Sequence, residues 1–371
     1  MFYRALIALT LFLMATLPFT GQIPPISKSD EDTVIRVDTD LVDVPILVTD
    51  RSGKPVLNLK QKNFVIYEDN KRQEIADFAA TGAPFEVALL LDTSGSARSE
   101  IDLIKRAAQT FIDSLRSGDR VSITAFKTQV DGGRSMAVPD VLCNLTDDRP
   151  KLRSCLAKAS TSNGTPYYDS LLKIAGTVFE GEPKEQFRGR RALVALTDGV
   201  DSTSASEFDE ARDVFEAAGI ISFFIKVDTR PFFEESLLGD CESAMRFSQA
   251  QLRRYYRKFY SGSNIERVTN FCQLGDFERM AISKKLYDLA ELEMAALAKK
   301  SGGRVFPVGE LNEARSAFKS VADEIGTKYS LGYYSTNEKR DGTFRRIKIE
   351  LRDLPHGSQV RAREGYTAPS R

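Results

Sequence analysis

One histidine, His356, is all that 371 residues provide, and tryptophan is absent. A single imidazole, in the loop-like stretch Leu354-Pro355-His356-Gly357-Ser358, leaves no material for a His-based acid/base pair or a multi-His zinc site. Cysteine is sparse as well: four residues with no C-x-x-C pair, which excludes a zinc knuckle and a thioredoxin-type motif. A net charge is also missing, because 52 basic side chains balance 52 acidic ones. No overall field draws the chain to DNA, RNA or anionic lipid, and no nucleic-acid partner is expected. No apolar run reaches the ~20 residues that span a bilayer. What is present, 28% charged and 42% hydrophobic residues over a length that suits about two domains, describes a folded globular chain.

Residues 1–22, MFYRALIALTLFLMATLPFTGQ, place one charge, Arg4, before an apolar run from Ala5 to Leu17 that ends at Pro18. That is the pattern of a secretory signal peptide, so the chain is expected to be exported, to a periplasm, a cell surface or the medium, with no transmembrane span in the mature form. An uncleaved, membrane-anchored form is the alternative. No Cys follows the run to carry a lipid anchor. In an oxidising compartment, an even cysteine count reads as disulfides. Of the three connectivities, Cys143–Cys155 with Cys241–Cys272 is favoured because each pair closes a local excursion; four buried thiols are the alternative.

Three regions follow. Residues 33–80 hold period-two stretches, Asp40 to Asp50 and Asn63 to Asn70, separated by the turn Arg51-Ser52-Gly53-Lys54, and predict a small β-region. From residue 84 to 327 the pattern turns to strand, helix, strand. Apolar runs at 85–91, 120–126, 192–196, 220–227 and 304–308 alternate with helical spacing at 101–115, 148–160, 166–180, 288–300 and 310–326, with a hairpin-like stretch through Met136 and Val141. Near-continuous apolar strands between amphipathic helices predict a doubly wound, mainly parallel α/β sheet covered on both faces. Residues 328–368 return to period two. Each terminal β-segment is too short to bury a core alone, so the two are expected to pair in one antiparallel sandwich with the α/β domain inserted between them.

The chemistry gathers at the carboxyl ends of the parallel strands, where open α/β sheets bind ligands. The first runs into Asp92-Thr93-Ser94-Gly95-Ser96 just before a helix, and the apolar run at 192–196 leads into Thr197-Asp198-Gly199. Between them, Asn163-Gly164-Thr165-Pro166 opens another helix. Three hydroxyls and two carboxylates with no soft ligand suit a hard divalent cation: Mg²⁺, or else Mn²⁺ or Ca²⁺.

This arrangement resembles the von Willebrand factor type A domain and its metal-ion-dependent adhesion site. The family pattern is Asp-x-Ser-x-Ser, a loop Thr and a later loop Asp, matched by Asp92, Ser94, Ser96, Thr165 and Asp198. The resemblance covers residues 84–327. It implies that Ser94, Ser96 and Thr165 touch the metal directly, with one or both Asp acting through water. It implies further that a vacant coordination position takes a Glu or Asp carboxylate from a protein partner. The flanking β-regions resemble those of an exported bacterial group that carries this domain. Neither partner nor oligomeric state is readable from the residues.

About sixty residues separate Val227 from Asp288, against the usual 2–6 for such a connection. The insert, 231–286, holds the basic-aromatic run Leu252 to Tyr260, and two readings stay open for it: a helical cap beside the metal site that helps choose the partner, or a surface helix with packed aromatics and solvated cations. Catalytic readings find little support. A haloacid-dehalogenase-type phosphatase needs an acid where this chain has Ser94, no phosphate loop or G-x-S-x-G elbow with a usable His occurs, and no catalytic residue is assigned. The reading is therefore an adhesion-type binding module rather than an enzyme, with a structural envelope protein stabilised by its metal site, or a metal-dependent hydrolase, as alternatives.

Overall fold

The computed structural model describes residues 41–95, 100–242, 244–260 and 271–370. The expected signal peptide, residues 33–40, part of the insert and Ser96 lie outside the described residues.

Four strands come first: β1 (Leu41–Thr49), β2 (Phe64–Glu68), β3 (Lys71–Gln73) and β4 (Asp77–Ala79). Six belong to the α/β region: β5 (Glu86–Leu91), β6 (Arg120–Asp131), β7 (Arg134–Thr146), β8 (Arg191–Thr197), β9 (Ile221–Val227) and β10 (Arg304–Val308). Four close the fold: β11 (Tyr329–Tyr334), β12 (Phe344–Leu351), β13 (Gln359–Ala362) and β14 (Gly365–Thr367). The helices are α1 (Ile101–Ser114), α2 (Arg149–Ala157), α3 (Tyr167–Lys173), α4 (Phe208–Ala217), α5 (Arg230–Leu237), α6 (Gln249–Phe259), α7 (Asp276–Ser301) and α8 (Ala314–Gly326).

The outer strands form two sheets, β13-β1-β11-β4 and β14-β12-β2-β3, each mixing strands from both ends of the chain. β1 runs antiparallel to both β11 and β13, and β2 to β12, so neither terminal segment completes a sheet alone. Val44, Ile46, Ile66, Leu331 and Tyr333 fill the space between the sheets. Glu68 is buried at the end of β2 and is satisfied from the C-terminal segment, by the hydroxyls of Tyr333 (2.7 Å), Tyr366 (2.9 Å) and Ser335 (2.6 Å).

The central sheet has the order β10-β9-β8-β5-β6-β7, parallel except for β7, which returns antiparallel to β6. Every residue of β5 and β8 is buried. Alternation along β5 divides its side chains between two cores: Val87, Leu89 and Leu91 face α1 and α8, while Ala88 and Leu90 face α3, α4 and α7. On the first face Phe111 of α1 meets Phe318 of α8 at 5.3 Å. The one charge on β5, Glu86, is held by Arg120 of β6 (2.7 Å) and Arg191 of β8 (3.1 Å), the residues directly opposite it on either side. A buried carboxylate is tolerable there because it is paired twice.

The structure differs from the sequence pattern in three places. Helix α4 occupies the connection between β8 and β9. The helix expected over 166–180 stops at Lys173 and continues as a π-turn, Ile174–Val178. The helix expected over 288–300 begins at Asp276, because its buried stripe includes Arg279, Ser283 and Glu293 while Phe277 and Leu292 face solvent. Apolarity therefore does not track burial along it. The disulfides join Cys143 of β7 to Cys155 of α2 and Cys241 to Cys272. The insert packs as α5, α6, the 3-10 turn Phe271–Gln273 and the first half of α7, around Leu237, Phe247, Leu252, Tyr255 and Ile282 together with Val200.

Candidate metal centre

β5 is followed in sequence by β6 on one side and bordered by β8 on the other, so the strand order reverses at β5. Loops leaving β5 and β8 on opposite faces of the sheet open a crevice at their carboxyl ends. Asp92 is the first residue past β5 and Asp198 the first past β8. The backbone N–H of Asp92 still donates to the Leu196 carbonyl at 2.9 Å, which extends the ladder and fixes where its side chain starts.

Asp92 is buried, and its carboxylate is oriented from two sides. Oδ1 accepts the N–H of Ser94 at 3.0 Å, and Oδ2 accepts the Thr197 hydroxyl at 2.8 Å. Asp198 is half-buried; its Oδ1 accepts the N–H of Val200 at 2.8 Å and its Oδ2 the hydroxyl of Thr229. Asp92, Ser94, Thr197, Asp198, Thr229 and Glu100 line a cleft of about 30 Å³, roughly the share of one water molecule in the liquid. Thr165 does not line that cleft. It sits on the adjoining loop, with its N–H donating to the Ser202 hydroxyl (2.8 Å) and its carbonyl accepting the Ser202 N–H (3.0 Å). The Ser162 N–H donates to the Thr93 carbonyl at 2.7 Å and ties this loop to the first one. The structure thus brings Asp92, Ser94 and Asp198 around one cleft, with Thr165 beside it. Sequence reasoning left out Thr197 and Thr229, whose hydroxyls hold the two carboxylates in place.

The electrostatics show what the cleft lacks. Burial pushes the Asp92 carboxyl above its usual range. Burial and then the charge of Asp92 push Asp198 up to about 7. The phenol of Tyr167, buried without a hydrogen-bond partner at the start of α3, is pushed far up, first by burial and then by the carboxylates of Glu293, Asp201, Asp92 and Asp198. Among the described residues, neither Asp92 nor Asp198 makes an ion pair. Two carboxylates desolvated together without a counter-charge are costly, and a divalent cation would remove that cost. The oxygen-only donor set fits such an ion. Among the described residues no group of three or more His, Cys, Asp or Glu is disposed to hold a metal. A larger groove, about 830 Å³, opens away from these loops between Asp43 and Arg363 of the sandwich and Arg188 and Glu216 of the α/β region. None of the residues at the cleft lines it.

Residues 87–200 match the family model of the von Willebrand factor type A domain, a span that holds Asp92, Ser94, Thr165 and Asp198. The match spans under a third of the chain and, with the central sheet around it, marks this segment as similar to a von Willebrand factor type A domain. No curated protein matches the chain. Among solved structures, the conserved hypothetical protein BatB from Bacteroides thetaiotaomicron aligns at 17% identity over 65% of this chain and 98% of its own, with a TM-score of 0.39. A von Willebrand factor type A protein from Catenulispora acidiphila aligns at 11% identity over 90% and 75%, TM-score 0.40. Proximal thread matrix protein 1 from the mussel byssus, with a zinc-occupied MIDAS motif, aligns at 13% identity over 68% of this chain and 48% of its own, TM-score 0.42. These likenesses are too remote to transfer a ligand or a partner.

Proposed function

We propose that the chain is an exported, metal-dependent protein-binding module. Asp92, Ser94, Ser96, Thr165 and Asp198 would hold the ion, Mg²⁺ with Mn²⁺ or Ca²⁺ as alternatives, because hard cations take oxygen ligands. When bound, the ion supplies Lewis-acid attraction for one further oxygen, the Glu or Asp carboxylate of a partner protein. The chain's own residues orient the site: Thr197 and Thr229 fix the two carboxylates, and Ser202 fixes the Thr165 loop. The observation that carries the reading is the pair of carboxylates at the switch point of the sheet, Asp92 buried and Asp198 half-buried, with no basic side chain paired to either among the described residues.

Export is supported by the pattern of residues 1–22 and by the two disulfides, which persist in oxidising compartments. No described helix is long and apolar enough to cross a membrane. A hydrolase is less favoured because His356 lies between β12 and β13 of the sandwich, leaving Ser94 and Ser96 without an imidazole to activate them. A pull-down from the native envelope with the full chain and its Ser94→Ala variant, each with Mg²⁺ and with EDTA, tests the proposal. The same protein should be captured by the wild type with Mg²⁺ alone. Capture indifferent to both chelator and substitution would overturn the binding role, and a chelator effect confined to melting temperature would assign the ion to structure. Phosphoester turnover abolished by Asp92→Ala would make the chain an enzyme instead.

A further inference from the structure

The insert packs on Val200 of the Asp198 loop and also reaches the metal-site loops through a buried charged side chain. Helix α6 is capped by Ser248, whose hydroxyl accepts the Gln251 N–H at 3.1 Å while Gln251 returns a bond to the Ser248 N–H at 2.9 Å. Its inner face carries Leu252, Tyr255 and Tyr256 into the insert's apolar cluster, and Arg253, Arg257 and Lys258 face solvent. Arg254 alone among these four cations turns inward, and it is 9% exposed. Its guanidinium donates to Oδ1 of Asp201 at 3.2 Å and to the Asp201 carbonyl at 3.3 Å, and it lies over the ring of Tyr168 at 4.6 Å.

Asp201 joins two metal-site loops. It stands three residues after Asp198 and accepts the N–H of Tyr168, three residues after Thr165, at 3.2 Å. It also holds its own loop closed through the Ser204 N–H (3.1 Å) and hydroxyl. The neighbouring Ser202 makes the two bonds to Thr165 already described. Tyr168 in turn donates its hydroxyl to Glu293 of α7 at 2.6 Å. Asp201 is 3% exposed, and Arg254 is its only ion-pair partner among the described residues. Without Arg254 it would be a buried charge with no counter-charge, a situation that costs far more than the pair gains by forming.

We propose that Arg254 is a positioning residue for the cation site: the insert, through Arg254 and Asp201, holds the Thr165 and Asp198 loops in register. This rests on the metal-site reading for its consequence, while the loop geometry stands apart from it. A device of this kind makes the insert part of the site without touching the ion, as groups behind metal ligands do.

The test uses the full chain in five forms, of which four are wild type, Arg254→Gln, Arg254→Lys, and Arg253→Gln as an exposed neighbour on the same helix. Phe318→Leu, in the core on the far face of the sheet, serves as a variant that lowers the melting temperature without approaching these loops. Two readouts are taken on each: Mg²⁺ affinity by calorimetry, and amide hydrogen exchange at Thr165 and Tyr168 without metal. Arg254→Gln should weaken Mg²⁺ about tenfold or more and speed exchange at both amides. Arg254→Lys should restore part of both, and Arg253→Gln and Phe318→Leu should change neither. Wild-type exchange at Thr165 and Tyr168 in a folded Arg254→Gln variant overturns the positioning role. So does an equal loss of Mg²⁺ affinity in Phe318→Leu. A wild type that takes up no cation sinks the metal reading alone, and the exchange data still decide the role of Arg254.

Discussion

Single side chains at the cleft divide into those that local sequence announces and those that only folding brings near. Asp92, Ser94 and Ser96 fall within five consecutive residues, and Asp198 follows an apolar strand directly, so spacing and strand ends reveal them. Thr197 meets Asp92 across 105 residues, Thr229 meets Asp198 across 31 and Arg254 meets Asp201 across 53; no spacing in the sequence announces any of the three. Asp43 offers a test at this scale. It faces the junction groove from β1, its Oδ1 has no hydrogen-bond partner, and burial, outweighing Arg188, pushes its carboxyl from 3.8 up to about 6. In that window the native state keeps a proton that the unfolded chain has released, so stability falls as pH rises from 3.8 to about 6. Asp43→Asn should therefore be more stable than the wild type by about 1–2 kcal/mol at about pH 7.5, after a discount for the partial exposure of Asp43, with the gap closing near pH 3.5. Urea melts at both pH values check this, and a gap that does not change with pH contradicts it.

At the scale of elements, legibility follows the match between apolarity and burial. Strands β5 and β8 are buried along their whole length and read as apolar runs, so their limits agree with the sequence pattern within a residue, whereas β6 runs on from the expected end at 126 to Asp131 because its last residues are exposed and carry no apolar run. Helix α7 is the counter-example: Arg279 is buried on it because it donates to the carbonyls of Leu274 (2.9 Å), Leu237 (3.0 Å) and Gly239 (3.1 Å) and stacks on Phe271. These acceptors belong to the insert, so the start of α7 depends on contacts that the helix's own sequence does not show. In the basic-aromatic run, Tyr255 and Tyr256 pack while Phe259 and Tyr260 are exposed, three of its cations face solvent, and Arg254 turns toward the metal-site loops. The Cys241–Cys272 bridge closes the insert on itself. Replacing both cysteines with Ser should lower stability by about 2–4 kcal/mol, with the exchange protection of α5 and α6 lost before that of β5 and β8. Uniform loss across the chain would show that the insert is not a separate unit.

For the whole molecule, the composite sandwich follows from a simple shortage. Each terminal segment has too few strands to bury a core, and pairing β1 with β11 and β13, and β2 with β12, supplies the missing partners. Glu68 pins the two ends together because its buried carboxylate is satisfied by groups from the C-terminal segment. The scarcity of histidine takes on a meaning here: the polar side chains of the cleft at the sheet's switch point present only oxygen, beside the apolar Ile104, Leu196, Val227 and Leu311, and its two carboxylates lack a counter-charge among the described residues. That this cleft holds a divalent cation is the claim on which the binding role depends. Calorimetric titration of the full chain with Mg²⁺, Mn²⁺ and Ca²⁺, beside an Asp92→Ala variant shown to be folded by its circular dichroism, tests it most directly. The wild type should take up one ion per chain and Asp92→Ala none, whereas a wild type that binds no divalent ion, or a variant that binds as well as the wild type, would contradict it.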